Sequence, residues 1–133
     1  MALIDDLLTP SDVETQLDTN WNGAVISEPT FKHAFLGDIQ TNPDEILIGW
    51  ADVTFTSASM EGHYELIKNS FEVVAVNSNI SNIIKMLSEI RRIVTAWNIS
   101  SGYVRVTNAV PSKDGSYYFF LILITQTINS QIT

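Results

Sequence analysis

The residues of this 133-residue chain that could do chemistry are few and widely spaced. His33 and His63 are the only histidines, thirty positions apart, and neither has a carboxylate at the helical spacing of an HExxH metal site. General acid–base work needs two groups held in different environments. Asp5 with Asp6, or Asp44 with Glu45, could supply such a pair, although neighbouring acids on an acidic surface are ordinarily solvated. Cysteine is absent, which removes disulfides, thiolate zinc sites and cysteine nucleophiles together. No Walker loop, GxGxxG or GxSxG occurs. Trp50, Trp97 and the run YYFF at 117–120 suit a core or an interface better than a base-stacking platform. Glu89, Arg91 and Arg92 offer a different chemistry, since charges on a covering helix can fix the register of a neighbouring subunit. Their plainer reading is a solvated helix face with Glu89 and Arg92 paired at i,i+3. The sequence therefore predicts neither catalytic residues nor a metal or cofactor, and a subunit interface at Glu89, Arg91 and Arg92.

These side chains must be positioned by a mixture of helices and strands. Ile80, Ile83, Ile84, Leu87, Ile90, Val94 and Trp97 recur mostly at steps of three and four, which predicts an amphipathic helix over 80–97. Met86 and Ile93 would widen its apolar face on one shoulder. Ser78, Asn79 and Ser81 are candidate N-caps, and Gly102 marks a stop beyond the end. Residues 2–20 read as two short helical pieces, the second capped by Thr9 with Pro10 in its first position. An extended piece is expected at 24–26, and a long connection at 30–44 with Phe31 and Phe35 packed beneath it. Strands are expected at 46–57, with Ile48, Trp50, Asp52 and Thr54 on one face. The stretches 64–67 and 71–76 read as one bulged strand or two short ones, and 103–110 as a half-buried strand. PSKDG at 111–115 reads as a hairpin connection. The last strand, 117–127, is apolar on both sides and so needs cover on both faces: from the N-terminal helix, another sheet or a neighbouring subunit. Together these elements predict an α+β fold, a single mixed and mainly antiparallel sheet packed by the amphipathic helix and an N-terminal helix, in one domain over 1–133.

The charge is unevenly distributed. Residues 1–61 hold eleven of the fifteen acids and one base, Lys32, whereas residues 62–133 hold four acids and six bases. The net charge of −8 disfavours sequence-independent binding to phosphates. MALIDDLLTP lacks the basic flank and apolar run of a signal peptide. The longest apolar run, 117–124, falls far short of the roughly 20 residues that span a bilayer as a helix. No membrane partner is expected.

The order of elements, the passage FEVVAVNSNISNIIKMLSEIRRIV and the closing GYVRVTNAVPSKDGSYYFFLILI resemble the tail terminator and tail-completion proteins of long-tailed phages and tailed archaeal viruses. The resemblance covers most of the chain, from Leu3 to Thr127. It implies a structural protein of the virion tail or neck, assembled in the host cytoplasm. It also implies a homo-oligomer, a hexameric ring that caps the tail tube and joins it to the head connector, with the tail tube protein and connector proteins as partners. DNA would pass through such a ring without specific binding. Asp38, Asp44 and Glu45 would then line or approach the channel and repel phosphates, the competing placement being an outer rim where they serve solubility. The alternative function is a small α+β oligomeric ligand-binding protein or enzyme with an apolar pocket, gathering His63, Trp50 or an acid pair around it.

Overall fold

A computed structural model describes residues 7–34, 44–57, 64–100 and 102–131. Its elements are α1 (Pro10–Asn20), β1 (Thr30–Ala34), β2 (Glu45–Ser57), β3 (Tyr64–Asn77), α2 (Ile80–Thr95), β4 (Tyr103–Asp114) and β5 (Tyr117–Gln131). The strands form one mixed sheet in the order β1-β2-β3-β5-β4, parallel between β1 and β2 and antiparallel elsewhere. The α+β architecture is thus the expected one.

Both helices begin where their caps place them. The Thr9 hydroxyl accepts the Asp12 N–H while the Asp12 carboxylate accepts the Thr9 N–H at 2.8 Å, a reciprocal capping box with Pro10 at the first helical position. Asn79 caps α2 by accepting the Asn82 N–H at 3.1 Å. The helices lie on the same face of the sheet. Val13 and Leu17 of α1 and Ile83, Met86, Ile90, Ile93 and Val94 of α2 share one core with Ile46, Ile48, Phe71, Val73, Ile122 and Ile124. On the opposite face Leu47, Val74 and Val76 form a small cluster against Phe119, and no helix among the described residues covers it. The N-terminal helix therefore does not supply the second cover that the doubly apolar β5 needs.

Several local expectations are corrected. Ile80 and Ile84 are 57 % and 52 % exposed, because the sheet contacts the side of α2 centred on Met86 and Ile90, and Trp97 falls beyond its last turn. Residues 22–26 make a turn, with the Val25 N–H donating to Asn22 O, and no extended piece. Part of the expected 30–44 connection is β1, an edge strand. β3 is one continuous strand in unbroken register with β5, and the bulge lies instead in β2, between Trp50 and Asp52. The unpaired Ala51 reverses the alternation: Trp50 packs with the helices, whereas Asp52 and Thr54 line the open face. Residues 111–114 continue β4, an edge strand where a proline without an N–H is tolerated, and the hairpin turns at Gly115, with φ of 58°.

Candidate interaction surfaces

The helical layer carries the charged residues singled out from the sequence. Glu89, expected on a solvated face, is 3 % exposed because α1 packs over it. Its carboxylate accepts Arg92 Nε at 2.9 Å and Arg92 Nη2 at 2.8 Å, and also the backbone N–H of Asn22 at 3.0 Å. The Arg92 hydrogen bond, helped by the Asn22 N–H, holds the Glu89 pKa below its ordinary value against the opposing effect of burial. Arg92 also donates to the Asn20 carbonyl at 2.8 Å. The i,i+3 pair thus exists, but its members tie α2 to the end of α1 inside the subunit. Arg91 makes no ion pair among the described residues: it is exposed and lines a shallow depression with Leu87, Ser88, Arg92 and Thr95.

Asp38, Asp5, Asp6 and His63 lie outside the described residues. Asp44 and Glu45 stand where β2 begins, and both are used locally. Asp44, at a φ of 62°, accepts the Thr30 N–H through its carbonyl and Asn77 Nδ2 at 2.6 Å through its carboxylate. Glu45 pairs with Lys32 Nζ at 2.8 Å across the β1–β2 ladder. His33 Nδ1 contacts the Glu14 carboxylate at the surface. Among the described residues no group of three metal-binding side chains occurs. Nor is any described helix long and apolar enough to cross a membrane.

Three features escaped the sequence. Asn69 and Gln126, fully buried beneath α1, form a polar network: Trp50 Nε1 donates to Asn69 Oδ1 at 2.6 Å, and Asn69 Nδ2 donates to Leu8 O and Gln126 Oε1. Gln126 Oε1 in turn accepts the Leu8 N–H at 2.9 Å, so the network anchors the strap before α1. Trp50 accordingly belongs to the core and not to a ligand pocket. A second feature is the groove of about 500 Å³ on the open face, where Asp52, Lys68, Arg105 and a row of threonines meet. Third, Asp18 and Glu28 sit against each other, and the hydrogen bond between their carboxyls raises the Glu28 pKa from its ordinary value. Residues so far apart in sequence give no local signal of these meetings.

No family model matches this chain, and no curated protein matches it. Among solved structures, a chain from the virion of a native gene transfer agent particle matches with a TM-score of 0.54 at 9 % identity, covering 91 % of this chain and 94 % of that one. At that identity the likeness is one of fold, and it runs nearly end to end in both chains.

Proposed function

We propose that the chain is a structural subunit of a phage-like virion, and within it a tail terminator or tail-completion protein whose copies form a hexameric ring that caps the tail tube and joins it to the head connector. The observation that carries this reading is the end-to-end likeness of fold to a chain of a gene transfer agent virion. The open sheet face supports it. Tyr117 and Leu121 of β5 are 40 % and 39 % exposed beside Phe119, an apolar surface of the kind buried in assemblies. In this reading the 38–45 segment approaches the channel, where carboxylates repel DNA phosphates over about 8–10 Å at moderate salt. Lys32 already pairs with Glu45, so Glu45 contributes less to that repulsion than Asp44.

Mass spectrometry of purified particles tests virion membership, and electron microscopy of the protein mixed with its tail tubes tests the finer role. The expected result is the chain present in particles and six-fold rings on tube ends. Particles that lack the chain overturn the virion reading. Tubes left uncapped, with heads joined equally well in its absence, overturn the terminator role alone.

A further inference from the structure

The two flanks of the helical layer lie at opposite edges of the sheet and carry opposite charge. On α2, Ile80, Ile84, Leu87 and Arg91 follow one another at steps of four, three and four, forming a stripe roughly half a turn around from Glu89 and α1. Ile80 and Ile84 are more than half exposed, Leu87 is half-buried, and Arg91 makes no ion pair among the described residues. Of the bases on α2 and β4, Arg92 is held at the end of α1 and Arg105 lies on the open sheet face, so Arg91 is the base of the stripe itself, with Lys85 elsewhere on α2 and Lys113 on β4. At the other edge, Glu14 and Asp18 stand one turn apart on the side of α1 that faces β1, since Glu14 contacts His33. Asp18 and Glu28 are both exposed, and no base pairs with either among the described residues. Exposed carboxylates with no base beside them are complementary to a cation on a neighbouring surface. Val25, in the turn that follows α1, is 41 % exposed.

We infer that the partner covering the α2 stripe is a second copy of this chain, docked head to tail: the α1 flank of one copy meets the α2 flank of the next, with Asp18 and Glu28 against Arg91 and Val25 against Ile80 and Ile84. This contact rests on the ring reading above and names its interface. A two-fold contact of the stripe with itself would place Arg91 against Arg91, whereas a head-to-tail contact pairs it with carboxylates, and repeated head-to-tail contacts close into rings. Side chains and not strands make the contact. The β4 edge carries a bulge between Val106 and Asn108 and a proline at 111, both of which blunt strand addition.

Two double variants test it, each first shown by circular dichroism and thermal melting to fold like the parent. Ile84→Glu with Arg91→Glu makes the α2 flank acidic, and Asp18→Arg with Glu28→Arg makes the α1 flank basic. In native mass spectrometry each alone is expected to stay at the 14.8 kDa subunit mass under conditions where the parent assembles. Mixed in equal amounts, the intact α1 flank of the first meets the intact α2 flank of the second, and species of twice that mass or more should form. Variants that each assemble like the parent, or that stay monomeric when mixed, overturn this interface while leaving the ring reading standing. A parent that remains at subunit mass at every concentration, with and without tail tubes, overturns the ring reading and the contact together.

Discussion

Glu89 of α2 accepts the backbone N–H of Asn22, the second residue past the end of α1, at 3.0 Å. Arg92 adds a bond to the Asn20 carbonyl, one of the groups a helix end leaves without an intrahelical partner. One i,i+3 pair on α2 therefore both sets where α1 stops and fixes the spacing of the helical layer. The two flanks proposed to meet between subunits are held in fixed relation by this clamp.

The first prediction concerns that clamp. Glu89→Ala leaves the Asn22 N–H without its acceptor and Arg92 without its carboxylate, at a cost of about 1–3 kcal/mol in denaturant unfolding at neutral pH. Because the folded pKa of Glu89 lies below its ordinary 4.5, its contribution is complete above that value and is lost as the pH falls through the lowered one. The gap between parent and variant should therefore shrink in acid. A gap that stays constant with pH would show that the variant loses packing and not charge.

The second prediction separates the two sides of α2. Ile90 is fully buried, so Ile90→Ala should cost on the order of 2–5 kcal/mol. Ile84→Ala should stay within about 0.5 kcal/mol in the dissociated subunit, because the side chain already meets solvent there. Unfolding at low protein concentration measures both. Equal costs would place Ile84 in the core.

The contrast between Ile84 and Ile90 also marks how far the sequence could be read. The period of α2 and the Thr9–Pro10 start of α1 follow from local rules and are found as expected, and of the three candidate caps Ser78, Asn79 and Ser81 the structure uses Asn79. The orientation of α2 does not follow, because its apolar residues span a wider arc than the sheet covers, and the periodicity is the same whichever part of the arc turns inward. Glu89 looked solvated because its burial depends on α1, some seventy residues earlier. β1 was invisible for a similar reason. Its five residues include Lys32 and His33, and the strand exists through pairing with β2, which no local alternation announces. Of the proposed interface and channel residues that are described, Glu89, Arg92, Asp44 and Glu45 have hydrogen-bond or ion-pair partners within the subunit, and Arg91 is exposed.

A third prediction compares two glycines in the left-handed region. Gly102 has φ of 75°, and a Cβ there would meet the Thr127 carbonyl oxygen at 1.8 Å. Gly115 has φ of 58° with open space around it. Gly115→Ala should therefore cost only the backbone strain, about 1 kcal/mol, whereas Gly102→Ala must also displace β5 and should cost clearly more. Thermal unfolding of the two variants gives the order, and a reversed order would mean that β4 enters the sheet by a different path.

The last prediction concerns the buried amides. Asn69 receives Trp50 Nε1 at 2.6 Å and donates to the Leu8 carbonyl and to Gln126. Replacing it with leucine keeps the heavy-atom branching but removes three hydrogen bonds and leaves the Leu8 carbonyl without its amide donor. Each group left unsatisfied in such a site costs about 1–3 kcal/mol. Gln126→Leu instead removes the acceptor of the Leu8 N–H and spares the Trp50 bond. The two variants should therefore differ in a way that overall stability alone does not reveal. Both should accelerate hydrogen exchange near Leu8, but only Asn69→Leu should shift the Trp50 fluorescence, because only it deprives the indole of the Asn69 oxygen. Equal fluorescence in the two variants, or a Leu8 amide that exchanges as slowly as in the parent, would mean that the strap before α1 is held by Leu8 packing against the core and not by the amide network.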